Sequence, residues 1–393
     1  MASTLVALEL PHDTLSDLHN DPLSHLHMSL SRAHTLHGDS PACLTPSQSS
    51  MSFSAPHKKQ AAQQVDCAVH DALERHVSQQ LPPYKPVSQR KLSREARRPR
   101  WLRECIAELL GVFFFVFPGL ASIAAFTIHH SLDKDSASAF GSIFQIGWGM
   151  GMGVSFAVIT CAPTSGGHFN PAITLCLALW QGFPWRKVPR YIVSQILGAF
   201  LAALTILAMY WTHIQDMIAR LVAEGKPLVG GGSPASIFAP YPNADQQSML
   251  HVLLIEFFAD AFIAVVVWAA LDPSNPFIHP ASIPFVIGIA YADMIWGFGA
   301  VTLSTNLARD LGCRMVAGIL FGSEAFTHRN YAPIGMLVNI PATLLGTAVY
   351  ELALRDSLMV IGKGHARHAD GEAALFTHMR KAKLLDEEQG IKC

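Results

Sequence analysis

The sequence predicts an all-α membrane protein of six transmembrane helices plus two re-entrant half-helices, arranged as an inverted internal repeat. Three observations carry this expectation. Half of the 393 residues are hydrophobic and only 15% are charged, with a positive mean hydropathy, a composition that soluble domains rarely show. The apolar residues gather into six blocks long enough to cross a hydrocarbon core about 30 Å thick. Two further apolar stretches are too short to span, and each begins with Asn.

Residues 1–100 read as a tail. As far as about residue 95 it is rich in Ser, His, Pro and Gln, and it holds nine of the 19 histidines, a composition that buries too little apolar surface to fold. Its end, from Gln89 to Arg103, is crowded with Arg and Lys directly before the first block, which places the tail in the cytosol by the positive-inside rule. Ser93 lies in this basic stretch and resembles a kinase site, where a phosphate would offset the positive charge. No cleavable signal peptide is evident, so the first span is expected to target the chain.

The membrane region covers 101–354. Its blocks fall at about 104–128, 139–160, 191–211, 248–271, 281–303 and 331–354. The basic connection from Trp185 to Arg190 then lies on the cytosolic side, as the charge rule asks. The even count returns a C-terminal tail, 355–393, to the cytosol. The short stretches run from Asn170 to Trp180 and from Asn306 to about Leu320. Asn is a favourable N-cap, and Pro171 stands at the first helical position, where a missing N–H costs nothing. A half-helix inside a bilayer is tolerated only where its open backbone is buried in protein or lines a wet cavity.

The blocks repeat. Ala107-Glu108-Leu109-Leu110 in the first span matches Ile255-Glu256-Phe257-Phe258 in the fourth, and Asn170-Pro171-Ala172 matches Asn306-Leu307-Ala308. Repeat one is therefore 101–211 and repeat two 248–354. Three spans per repeat invert the second copy relative to the first, so the half-helices enter from opposite faces and meet tip to tip. Each N-terminus brings roughly half a positive charge to the midplane, which repels cations. Neutral solutes find the Asn170 and Asn306 amides as donors. They find as acceptors the carbonyls of Gly166, Gly167, His168 and Phe169 in one loop and of Thr302, Ser304 and Thr305 in the other.

Intramembrane Glu108 and Glu256 need partners. Asp260 shares the Glu256 face of its helix, Asp293 reads as a pore-lining or a packing group, and Asn339 as a hydrogen bond between helices. The seven cysteines form no CxxC pair and no metal-ligand spacing. Neither a nucleophile nor a phosphate-binding loop occurs in the spans, so the expectation is no enzyme, no cofactor and no metal. A net charge of -1 offers nothing to nucleic acid.

Ser165-Gly166-Gly167-His168-Phe169-Asn170-Pro171-Ala172 and Asn306-Leu307-Ala308-Arg309-Asp310 resemble the two signature loops of the aquaporin and aquaglyceroporin family. The resemblance covers about 101–354. It implies the family's right-handed helical bundle, passive conduction, a homotetramer in a lipid bilayer, both termini cytosolic, and the plasma membrane as the expected location. In that family the Asn pair forms the central constriction, here with Pro171, Ala172, Leu307 and Ala308. Arg309 then lines a narrower filter towards the outer mouth, together with Met294, Leu303 and Met150, or Trp148 if the first loop holds a two-residue insertion. Glu108 and Glu256 would accept backbone N–H groups of the loops.

Water-restricted members usually carry His where this chain has Met294, and Asp310 and Arg314 resemble the glycerol-conducting branch. The expected function is therefore passage of glycerol, small neutral polyols and water, with ions and protons excluded. A strict water channel of the same fold and a non-conducting scaffold with a degenerate pore are the alternatives. Leu307 stands where the family normally has Pro, as does Cys313 further along.

Overall fold

The computed structural model describes residues 86–132, 141–362, 369 and 371–388. Most of the expected tail, with its histidines, lies outside the described residues. The chain divides by its contacts into residues 1–86 and 87–393, and every described helix belongs to the second unit.

The end of the stretch read as disordered tail is helical, which corrects that boundary. Gln89–Arg97 forms α1, capped by Ser88, whose Oγ accepts the Lys91 N–H. Arg94 and Arg97 occupy its last turn, where cations complement the exposed carbonyls. No residue of α1 is buried.

Repeat one comprises α2 (Arg100–Leu132), α3 (Ile143–Ser165), the half-helix α4 (Pro171–Trp180) and α5 (Val188–Met209). α6 (Trp211–Ala223) lies in the connection between the third and fourth spans and buries Ile214 and Met217. Repeat two comprises α7 (Met249–Leu271), α8 (Ile283–Phe298) and the half-helix α9 (Leu307–Phe321). It continues with a short α10 (Glu324–Thr327) and a sixth span in two pieces, α11 (Ala332–Leu337) and α12 (Asn339–Val349), closed by a π turn at Tyr350–Leu354. Beyond it, α13 (Ser357–Gly362) and α14 (Glu372–Glu388) occupy the C-terminal tail. No strand occurs among the described residues.

Five of these spans are long and apolar enough to cross a membrane. The remaining one, α8, has 16 residues, or about 24 Å of helix. It stops at Phe298, short of the expected 303, because the chain leaves the helix there to feed the second Asn loop. The sixth span breaks near Pro341, which has no N–H to give and crowds the carbonyl four residues back. Asn339 sits at this break. It does not bridge helices as expected: its Nδ2 donates to Met336 O at 2.9 Å and Gly335 O at 3.4 Å within its own span.

Packing follows the repeat. In repeat one α2 packs on α3 and α5, and in repeat two α7 packs on α8 and α12. The half-helices are exchanged, α9 lying against α5 and α4 against α12, while α3 meets α8 across the pseudo-symmetry. Glycines permit the close approaches: a Cβ at Gly198 would collide with Leu109 O, and one at the corresponding Gly346 with Ala261 O. Such small-residue contacts replace the hydrophobic drive that is missing between helices in lipid.

Candidate pore and its constriction

The two Asn loops meet through their own side chains. Asn170 caps α4 with Oδ1 accepting Ala172 N–H at 2.9 Å. Asn306 caps α9 by accepting from Ala308 and Arg309 at 2.9 and 3.2 Å. Each amide then reaches across the midplane, Asn170 Nδ2 donating to Thr305 O at 3.1 Å and Asn306 Nδ2 to Phe169 O at 2.9 Å.

This crossing requires an unusual backbone. Phe169 and Thr305, the residues before each Asn, have φ of 50° and 59°. That left-handed geometry is costly for a ring-bearing or β-branched residue, but it aims each carbonyl at the opposite amide. One N–H of each Asn and one lone pair of the Phe169 and Thr305 carbonyls are thus committed inside the protein, leaving one N–H per amide.

Glu108 and Glu256 hold the loops from behind. Glu108 Oε1 and Oε2 accept the N–H groups of His168 and Phe169 at 3.0 and 2.8 Å, and Gln195 Nε2 donates to Oε2 at 2.7 Å. Both Glu256 oxygens accept Ser304 N–H, and Oε1 also takes the hydroxyls of Thr302 and Tyr331. Buried carboxylates with this many donors offset much of their desolvation. Asp260 does not join that network, its Oδ2 being buried without a hydrogen-bond partner.

A cavity of about 560 Å³ opens on one side of the Asn pair. Its lining includes Asn170, Asn306 and Tyr291 together with Gln181, Phe183 and Pro280. Gly166, Gly167, His168 and Phe169 contribute to this lining, as do apolar Val154, Val158 and Ile287. Of the second loop, Thr302, Ser304 and Thr305 are not in this lining. Thr302 and Ser304 are buried against Glu256 instead.

Pro171, Ala172 and Ala308 are buried, so the alanines bear on the constriction only through their backbones. Leu307 is half-buried at the first helical position, and α9 forms with Leu there.

The filter candidates lie outside the cavity lining. Arg309 is 4% exposed, and its buried Nη1 has no hydrogen-bond partner. Met294 and Leu303 are half-buried, and Met150 is buried over Gly119 of α2. Trp148 points elsewhere, into an aromatic cluster with Phe144 and Trp296 at centroid distances of 6.1 and 5.4 Å. Asp293 lies on the exposed face of α8 with Ile289 and Phe285.

Two features escaped sequence reasoning. Tyr291 stands one helical turn before Met294 on the same face of α8, and that spacing alone was enough to find it. The pair Asp310–Arg314, legible only as a branch marker, is a wholly buried ion pair. Ser304 Oγ donates to Asp310 at 2.9 Å, and Arg314 Nη1 and Nη2 reach Ala325 O and Pro240 O. It braces the base of the second loop.

Six apolar spans around two opposed half-helices, with paired Asn caps at the midplane, define a membrane channel fold. The profile of the major intrinsic protein family matches residues 95–331, and the chain belongs to that family. Aquaporin-3 of Laccaria bicolor is 41% identical over 72% of this chain and 86% of its own length. Aquaglyceroporin-2 of Rhizophagus irregularis is 32% identical over 64% of this chain and 77% of its own. The solved aquaglyceroporin of Plasmodium falciparum superposes with a TM-score of 0.55 at 23% identity, covering 66% of this chain and 99% of that one, a likeness of fold. The protein is thus a multi-pass integral membrane protein, and its relatives are channels.

Proposed function

We propose that the chain is a passive channel for glycerol, other small neutral polyols and water. What supports this reading is the composition that the family resemblance gives the filter: a buried Arg309 with an unpartnered Nη1, taken together with Met294, Leu303 and Met150. A polyol presents hydroxyls along one edge and carbon along the other, so one fixed cationic donor opposite flexible apolar side chains suits both edges. The cavity lining likewise joins residues of the first loop, Gly166 to Phe169, with apolar Val154, Val158 and Ile287. Ions are opposed by two helix N-termini and by Arg309. The names of the relatives, one aquaporin and two aquaglyceroporins, are compatible with both solutes.

The same reading includes a homotetramer, in which Asp293 on the exposed face of α8 is covered by a neighbouring subunit, and cytosolic termini at the plasma membrane, supported by the basic residues of α1. The test is vesicle swelling with purified protein. Water and glycerol permeability are both expected to rise well above those of empty vesicles. Water flux without glycerol flux would make it a strict water channel, and neither would favour a scaffold. Arg309→Val is expected to broaden solute passage and admit urea; unchanged selectivity would remove Arg309 from the filter.

A further inference from the structure

The helix before the first span exposes every one of its residues. α1 has nine residues and buries none, and a helix this short without a packing partner is marginal in water. A partner surface is what it lacks.

Its charge says which surface. α1 carries Arg90, Lys91, Arg94 and Arg97 against the single carboxylate of Glu95, and none of these four cations forms an ion pair among the described residues. Their spacing stacks Arg90, Arg94 and Arg97 on one face, with Lys91 beside them. Leu92 falls about 200° round the helix from Arg90, so attachment runs through charge and not through insertion of an apolar face.

The stripe is also kept close to the lipid. Only Arg98 and Pro99 separate α1 from α2, so the two helix ends lie at most about 11 Å apart, comparable to the Debye length of about 8 Å at physiological ionic strength. The Arg97 end of the stripe therefore stays where lipid charge is felt. The headgroup level is marked at the same rim. Trp101 and Trp185 are exposed there, Arg190 lies over the Trp101 ring at 5.9 Å, and Lys187 Nζ ties the turn before α5 to Glu104 of α2 at 2.8 Å. Tryptophans at the ends of spans sit among headgroups. A soluble acidic partner would have to reach this rim, whereas lipid phosphates are already there.

We propose that α1 is a binding site for anionic phospholipid headgroups of the adjoining leaflet, held by the stripe of Arg90, Arg94 and Arg97 with Lys91. Clusters of about four to eight Lys or Arg next to a span read as sites for such lipids. The inference rests on the cytosolic placement of this end of the chain proposed above, since the anionic lipids belong to that leaflet. Ser93 stands one turn from both Arg90 and Arg97, at the edge of the stripe, so a negative charge there draws both arginines away from the lipid.

Hydrogen exchange of the α1 amides, measured on the full chain in nanodiscs, tests this. Discs containing phosphatidylserine should slow exchange about tenfold relative to discs of phosphatidylcholine alone. The difference should vanish at about 1 M salt, where the Debye length falls to about 3 Å. Changing Arg90→Gln, Arg94→Gln and Arg97→Gln together, which keeps helix propensity, should abolish it, and Ser93→Glu should cut it to about threefold. Equal exchange in the two lipids, or an unchanged difference in the triple variant, would overturn the inference. So would protection in phosphatidylcholine discs on adding inorganic phosphate, which would make a free anion the ligand. Both faces of a disc carry the same lipid, so these results depend neither on orientation nor on conduction. An N-terminal tag reached by antibody on intact cells would overturn the cytosolic reading, and with it the leaflet assigned here, while the disc result stood.

Discussion

The two Asn loops arrive at one geometry by different means. At their tips they match: an Asn N-cap in each, a left-handed residue before it, and an amide given to the opposite carbonyl. At their bases they diverge. The first loop leaves α3 through Gly166 and Gly167, with φ of 97° and 72°, so its turn is made by residues for which positive φ costs little. The second has no glycine between Thr302 and Asn306 and is held instead by the buried Asp310–Arg314 pair and its bonds to Ser304, Pro240 and Ala325. Local backbone freedom does in one repeat what a long-range polar network does in the other. The tip is what conduction needs, and the bases are free to differ.

That contrast can be broken most forcefully at the brace. Arg314→Ala strands Asp310 in a site with no exposure and is expected to cost about 3–5 kcal/mol, read as a large fall in the unfolding temperature in detergent. The first loop has no equivalent ion pair, so no single charge removal there should cost as much; equal losses from Lys187→Ala, whose partly exposed ammonium pairs with Glu104 and lies over the Phe183 ring, would refute the asymmetry.

A smaller effect separates the two glutamates. Both Glu108 oxygens accept fixed backbone N–H groups, so Glu108→Gln must set an amide NH₂ against one of them, at about 1–3 kcal/mol. At Glu256 two of the donors are hydroxyls that rotate to become acceptors. Glu256→Gln is therefore expected to cost less than about 1 kcal/mol. Thermal unfolding of the two variants side by side checks the order, and a reversed order would mean the backbone contacts matter less than the hydroxyls.

The mildest change is at the first helical position, where the repeats differ as Pro171 and Leu307. Asn306 already has the extended backbone that a following proline demands, with φ −157° and ψ 112°, compatible with its preference. Leu307→Pro should stabilise the protein by about 0.4–1 kcal/mol and leave glycerol flux within about twofold, since a first-turn N–H has no helical partner to lose. A large gain in flux would identify Leu307 as a defect of the native pore.

Much of this was legible in the chain. Block length and hydropathy specified the spans because a bilayer imposes a length on any helix that crosses it. The paired Glu and Asn motifs specified the repeat, and an odd number of spans per repeat specified its inversion. The misplacements have local causes: α8 ends early where the loop begins, the sixth span breaks at Pro341, and α1 forms on a Ser88 cap within a stretch whose composition reads as tail.

The sequence by itself therefore determined the element order, the opposition of the half-helices and the identity of the Asn pair, since each follows from periodicity, spacing and a solvent that allows few alternatives. Only the tertiary structure decided what each polar group faces. Whether Asp310 marks a branch or braces a loop, whether Trp148 joins an aromatic cluster, and whether Asn339 joins two helices or mends one are matters of which partner stands within reach in the folded chain. A buried polar side chain takes its meaning from its partner, and the partner is supplied by the fold.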